Sequence, residues 1–241
     1  MSTDILPLLA ELIEAGQIYA QSNRGQLSEA RLYQALAGAA GQAFSTVDEL
    51  KSAFRSDAAF STVATKRFIR LADTSDGAHA ICPVIFLDGD LSKNHPYLRI
   101  QLIIVTHSLQ ADVQPQCLLM RFETPEGMDP EGQGKHDYYH SQLCTELRVD
   151  SSGRTLTVPK CVQWSAASCP AWPVDAGTPF QLLACVVFAL YGKFDGVRIL
   201  RKAYGKSLDA LIEEMHFVFA KPQASMKSAR RAPRSRPGPK R

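Results

Sequence analysis

An uncharged apolar run near the C-terminal end constrains the fold of this 241-residue chain more than any other feature. Thr178-Pro179-Phe180-Gln181 combines three helix-start signals: an N-cap threonine, a proline at the first helical position and a glutamine at the third. The turns that follow, 182–191, carry no charge on any face. A helix that is apolar all round must be buried, and this run is shorter than the roughly 20 residues that cross a bilayer. It therefore predicts a buried central helix, broken near Gly192 and Gly196 and ended, after a resumed piece, at Gly205.

Helical spacing also dominates the start of the chain. Apolar residues at a helical period predict a first helix over 4–21, which Ser22-Asn23-Arg24-Gly25 is expected to end. Ser28 is expected to cap a second helix through about residue 40. The segment Thr46-Val47-Asp48-Glu49 forms a capping box and predicts a short third helix to Phe54.

The middle of the chain changes to the two-residue period of strands. Four segments rich in β-branched and aromatic residues are separated by turn formers such as Asp88-Gly89-Asp90. The connections are short enough for an antiparallel meander, with a further short edge strand over 155–158. The four predicted strands cover 80–87, 97–106, 116–124 and 138–149.

These patterns predict an α+β fold in three parts. A helical N-terminal part covers 1–75, and an α+β domain covers 76–220, where the antiparallel meander packs on the buried apolar helix. The last part, 221–241, is expected to be a disordered basic tail, because a like-charged, proline-rich and apolar-poor segment cannot bury enough surface to offset its ordering entropy. The six scattered cysteines form no CxxC pair and are expected to be free thiols.

The basic tail inverts the electrostatics of the rest of the chain. It holds 8 of the 27 lysines and arginines and none of the 24 acidic residues, so residues 1–220 carry 19 basic against 24 acidic side chains. Such arms are typical of proteins that bind polyanions. The tail has no aromatic residue to stack on bases, so we expect contact with phosphates rather than base recognition. The residues expected to make this contact are Arg230, Arg231, Arg234, Arg236, Lys240 and Arg241.

A polar patch is predicted on one face of the meander. Strand alternation places Tyr138, His140 and Gln142 on one face, and the neighbouring strands contribute polar positions to the same face, Arg99, Gln101, Arg121 and Glu123. The patch has two interpretations. It is either an ordinary solvated sheet face with cross-strand ion pairs, or a site in which His140, Glu123 and Tyr138 carry acid–base chemistry.

Metal and cofactor sites are not predicted. His136, His140 and Cys144 are spaced by four, which brings ligands together on a helix but spreads them over about 13 Å for each interval on a strand. The chain also lacks the GxxxxGK[ST], GxGxxG, GxSxG and HExxH patterns. We therefore expect neither a bound metal nor a cofactor. A zinc site would need one of these histidines together with ligands from elsewhere in the chain, such as Cys161 or Cys169.

A second possible nucleic-acid contact lies near the start of the chain. A helix is predicted over 57–71, with Phe60, Ala64, Phe68 and Leu71 on one side. Together with the two helices before it and the strands after it, this helix has the order of a winged helix-turn-helix, and it would present Lys66 and Arg70 to phosphates. The alternative is a plain helical cap packed on the sheet.

The leading functional prediction is a cytoplasmic, bacterial, nucleic-acid-associated accessory protein without catalysis of its own. The N-terminus shows no signal-peptide pattern, and the partner would be nucleic acid bound through the tail, with a possible protein partner and no membrane. Two alternatives remain open at this point. One is a hydrolase or nuclease that uses the polar patch around His140, and the other is a protein–protein adaptor in a larger complex.

Overall fold

The computed structural model describes residues 5–54, 60–75, 78–90, 97–108, 114–124, 140–149, 154–158, 172–173, 176 and 178–205. Its helices are α1 (Leu6–Ala20), α2 (Asn23–Ala35), α3 (Val47–Phe54) and α4 (Pro179–Tyr204). Its strands are β1 (Gln42–Ala43), β2 (Phe60–Ser61), β3 (Arg67–Arg70), β4 (Thr74–Ser75), β5 (His79–Asp90), β6 (Tyr97–Ser108), β7 (Gln116–Glu123), β8 (His140–Cys144), β9 (Glu146–Arg148), β10 (Thr155–Thr157) and β11 (Trp172–Pro173). The chain therefore has an α+β fold, as predicted.

One mostly antiparallel sheet organises the described residues. Its order is β1-β3-β5-β6-β7-β8-β11, with β2 and β4 also paired to β5. The run β5-β6-β7-β8 is the predicted antiparallel meander, and only the short β1–β3 pair is parallel. A separate antiparallel ribbon is formed by β9 and β10. The domain boundary predicted at residue 75 falls between β4 and β5, which pair with each other.

Strand alternation divides the core into two clusters, one on each face of the sheet. On β6, Leu98, Ile100 and Leu102 belong to the first cluster, which also contains the buried residues of α1 and α4. Ile103 and Val105 belong to the second, which contains the buried residues of α2 and of the β9–β10 ribbon. Both faces of the meander are therefore covered, an arrangement that buries the apolar side of every layer.

The helix α4 begins at the predicted N-cap, breaks at Gly192 and ends before Gly205. The amide of Gln181 donates a 3.2 Å hydrogen bond to the Thr178 hydroxyl oxygen, which is the predicted N-cap. Gly192 has φ 70° and ψ 179° and breaks the helix, and Gly205 ends it with φ 61°, a left-handed conformation that glycine adopts without steric cost. Before the break, α4 buries its apolar residues in the first cluster, among them Leu182, Leu183, Ala184, Val186 and Val187.

The predicted helix over 57–71 is wrong, because the described part of this range contains β2, a turn over 62–66 and β3. Ile69 and Arg70 pair with Ile85 and Val84 of β5. The apolar spacing that predicted a helix has a different origin, since Leu71 belongs to the first cluster and Phe68 to the second. Two sheet faces, rather than one helix face, account for the buried residues of this segment.

The start of α2 also differs from the prediction. Ser22 was expected to end the preceding helix and Ser28 to cap the next, but Ser22 performs both tasks. Its hydroxyl donates to the Tyr19 carbonyl oxygen at 2.7 Å and accepts from the Gly25 amide at 3.0 Å. A side chain at Gly25 would overlap the main chain of Tyr19, so the close approach of α1 and α2 requires glycine there.

Candidate functional site

The register of the meander brings the predicted polar patch together. Glu123 of β7 lies opposite Arg99 of β6 on one side and His140 of β8 on the other. Arg121 likewise lies between Gln101 and Gln142. Six of the seven predicted positions are therefore neighbours in the sheet, and the seventh, Tyr138, lies outside the described residues. The catalytic roles assigned to His140, Glu123 and Tyr138 stay predictions.

The structure buries the centre of this patch. Arg99 is 4% exposed, Glu123 2% and Gln101 1%, so the interpretation as an ordinary solvated face is wrong for these three residues. Sequence alternation correctly placed them on a polar face, but it carries no information about what covers that face. The cover includes the β9–β10 ribbon, whose Arg148 main chain contacts Gln101.

Glu123 is the centre of a buried ion-pair network. Its carboxylate forms a very short contact with the Arg99 Nε, and its second oxygen lies 3.0 Å from the Arg121 Nε, an ion pair outside hydrogen-bond geometry. The Tyr97 hydroxyl donates to the same carboxylate at 3.3 Å, and Arg121 donates to Gln142 at 2.6 Å. The Glu123 carboxylate therefore contacts two guanidinium groups and a hydroxyl.

Asp88 of β5 is a second buried carboxylate, and it lies opposite Arg99 of β6. Its two oxygens accept hydrogen bonds from the Ser61 hydroxyl at 2.5 Å and from the Gln101 side-chain amide at 2.8 Å. Burial raises the pKa of Asp88 from 3.8 to about 6, against the opposing effects of Ser61, Arg99 and Gln101. A carboxyl group with this pKa changes its charge in the range where proteins normally work.

Asp88 is not among the residues predicted for the patch, because Asp88-Gly89-Asp90 has the composition of a turn. In the structure β5 continues through Asp90, and Asp88 lies two residues from the buried Phe86. Period-two counting from Phe86 would have placed Asp88 on the face of the polar patch.

Gln101 joins the network to the ribbon. Its side-chain nitrogen donates to the Arg148 carbonyl oxygen at 2.7 Å, and its oxygen accepts from the Arg148 amide at 2.6 Å. The amide group thus pairs with the ribbon backbone as a neighbouring strand would. The Ser61 hydroxyl lies 3.0 Å from the Val149 carbonyl oxygen and provides a second attachment point.

The second predicted nucleic-acid contact depended on a helix over 57–71, and the described part of this range does not form one. Lys66 is exposed in the turn before β3, where it has a positive φ of 54°. Arg70 is only 3% exposed, and its guanidinium lies 3.5 Å from the Asp73 carboxylate and 3.8 Å from that of Glu29. With no helix over 57–71 and Arg70 inside the protein, these residues do not form the recognition surface of a winged helix.

The predicted tail contacts lie outside the described residues, as a group: Arg230, Arg231, Arg234, Arg236, Lys240 and Arg241.

Within the described part of the chain, no cluster of three or more His, Cys, Asp and Glu side chains is arranged to hold a metal ion. Nor does this part contain a helix with the length and apolar character needed to cross a membrane. Comparison of the chain with protein-family models, curated proteins and solved structures finds no match.

Proposed function

We propose that this chain is a nucleic-acid-associated accessory protein without catalysis of its own, which contacts phosphates through residues 221–241. The observation that carries the proposal is the segregation of charge: this segment has 8 basic and no acidic residues, and the rest of the chain has 19 basic and 24 acidic ones. A cationic segment on an acidic body is attracted to a polyanion at one end only.

The ion pairs of the folded body support this assignment. Among the described residues, basic side chains that contact carboxylates of the same chain include Lys51, Arg67, Arg70, Arg99, Arg121, Arg198 and Lys202. Charge that is already neutralised within the fold adds little to the attraction of phosphates. The excess of basic over acidic residues in the sequence lies in residues 221–241.

The environment of Glu123 favours this proposal over the hydrolase or nuclease alternative. A general base needs a free lone pair within reach of a substrate proton. The Glu123 carboxylate is buried and already contacts Arg99, Arg121 and Tyr97. These contacts suit a carboxylate that stabilises the sheet rather than one that removes a proton.

The adaptor alternative has weaker support. Two large apolar side chains are exposed among the described residues, Phe194 at 89% and Ile18 at 62%. Apolar residues exposed singly are common on protein surfaces, and these two do not by themselves define a docking surface.

The proposal is tested by the salt dependence of binding to a random-sequence duplex DNA and to a single-stranded RNA. The variant changes Arg230, Arg231, Arg234, Arg236, Lys240 and Arg241 to glutamine and keeps the length of the chain. Each lost phosphate contact lowers the slope of log K against log salt by about 0.9 on duplex DNA, so the slope should fall by up to about 5. The melting temperature should not change, because the segment has no apolar face to bury.

A matched control neutralises exposed cations of the body instead, Arg198→Gln and Lys202→Gln in α4. Both residues are paired with carboxylates, and the salt slope of this variant should equal that of the wild type. A tail-neutralised protein that binds with unchanged affinity and slope, or a wild-type protein that binds neither nucleic acid, would contradict the proposal.

A further inference from the structure

The Ser61 hydroxyl has two acceptors but only one hydrogen. Its oxygen lies 2.5 Å from the Asp88 carboxylate and 3.0 Å from the Val149 carbonyl oxygen, and it accepts a hydrogen bond from the Ala64 amide. A hydroxyl donates one hydrogen bond at a time. While Asp88 is ionised, the shorter, charge-assisted bond to the carboxylate takes the hydrogen. The Val149 carbonyl then receives none from Ser61.

Protonation of Asp88 reverses this bond. The neutral carboxyl group becomes a donor to the Ser61 oxygen, whose second lone pair still accepts from the Ala64 amide. The hydrogen of Ser61 is then free to point at Val149. The other carboxyl oxygen continues to accept from Gln101, so every polar group keeps a partner and one hydrogen bond to the ribbon is gained.

We propose that the β9–β10 ribbon is held on the sheet by a proton-dependent clasp, in which Asp88 takes up the proton and Ser61 relays the change to Val149. Two kinds of contact between the ribbon and the sheet do not depend on the proton: the pair of hydrogen bonds between Gln101 and the Arg148 main chain, and the apolar packing of Leu147 in the second cluster. A further attachment of the ribbon, at Val149, forms when Asp88 is neutral. Lower pH therefore tightens the ribbon onto the sheet.

Among the described residues, the groups that face Asp88 come from β2, the turn that follows it, and β6. Arg99 faces Asp88 from β6, and Arg99 is bound by Glu123 of β7, which also contacts Arg121 and Tyr97. The remaining contacts of Asp88 come from Ser61, Gln101 and the Val63 main chain, which do not titrate. The raised pKa of Asp88, about 6, places the change near neutral pH.

The clasp is tested by hydrogen exchange of the backbone amides of residues 147–149 and 155–157 at pH 5.0 and pH 7.5, corrected for the intrinsic exchange rate. Protection should be about fivefold higher at pH 5.0, the equilibrium change expected from one additional net hydrogen bond. Equal protection at the two pH values in the wild-type protein would overturn the proposal.

Three variants identify the groups involved. In Asp88→Asn, the side-chain NH₂ donates to Ser61 at every pH, so protection should be high and independent of pH. In Ser61→Ala the relay is absent, and protection should be low and independent of pH. His140→Gln is the control, because the backbone of His140 lies opposite Glu123 in the same row of the sheet. It should keep the wild-type pH dependence. If Asp88→Asn keeps that dependence, or His140→Gln loses it, the titrating group is not Asp88.

Discussion

The buried carboxylate of Glu123 gives the sharpest test of the structure. Glu123→Gln preserves the shape of the side chain and one acceptor oxygen, but it removes the carboxylate that forms a direct ion pair with the buried Arg99 guanidinium. Both side chains are almost fully buried, with 4% exposure for Arg99 and 3% for Glu123. Removing one partner of a buried ion pair costs about 3–5 kcal/mol, because the remaining charge stays desolvated. We expect about 3 kcal/mol, since glutamine still accepts a hydrogen bond and Arg121 is partly exposed.

Urea unfolding at pH 7.5, followed by circular dichroism, measures this loss. With a slope of about 2–3 kcal/mol/M, the midpoint should fall by about 1 M or more. Glu49→Gln is the matched control, because Glu49 forms a similarly close contact with an arginine, Arg67, but at the protein surface. Exposed ion pairs contribute little to stability, so its midpoint should stay near that of the wild type.

A double variant separates the lost pair from general disruption. Arg99→Gln with Glu123→Gln removes both charges of the closest pair, so it should be less destabilised than the sum of the two single variants. The coupling energy of residues in direct contact is typically about 0.5–3 kcal/mol. If Glu123→Gln lowers the midpoint no more than Glu49→Gln does, Glu123 is hydrated and the reasoning from burial is refuted.

Three further predictions concern other parts of the fold. The folded-state pKa of Asp88, about 6, lies above the ordinary value of 3.8. The stability that protonated Asp88 contributes to the fold is therefore fully present below about pH 3.8 and is lost as the pH rises through 6. The change is about 3 kcal/mol, and it is measured as the difference between the pH–stability curves of wild type and Asp88→Asn. Leu183→Asp should unfold the protein or make it insoluble, since Leu183 is fully buried in α4; a soluble variant with native circular dichroism would show that α4 is not a core helix. Gly16→Ala should lower the melting temperature strongly, because its Cβ would overlap the Arg70 main-chain oxygen. Gly38→Ala meets no neighbouring atom but has a φ of 83°, and it should cost only about 1–2 kcal/mol.

The parts of the fold that follow from short-range signals were predictable. Thr178, Pro179 and Gln181 define the start of α4 through contacts within four residues, and Gly192 and Gly205 interrupt and end it by their own backbone conformations. The first three long strands and the antiparallel order of β5 to β8 followed from the two-residue period and the turn-forming segments. The single strand predicted over 138–149 is wrong, because its described part divides into β8, which pairs with β7, and β9, which pairs with β10 in the separate ribbon.

The parts that depend on distant partners were not predictable from the sequence. The segment over 57–71 has apolar residues at a helical spacing, and only pairing with β5 shows that part of it is extended. Arg70 carries a charge, as surface residues usually do, but the structure places its side chain between the carboxylates of Glu29 and Asp73.

The polar patch combines one feature that the sequence determines with others that only the tertiary structure determines. The sequence by itself determined that Arg99, Gln101, Arg121 and Glu123 share a face, because alternate residues of a strand point to the same side. Only the tertiary structure decided that Arg99, Gln101 and Glu123 are buried, and that Asp88 and Ser61 join them. Burial depends on the segments that lie over a face, here including a ribbon about 50 residues away along the chain from Gln101. No pattern within the strands encodes that contact, and the burial that raises the pKa of Asp88 is likewise a property of the tertiary structure.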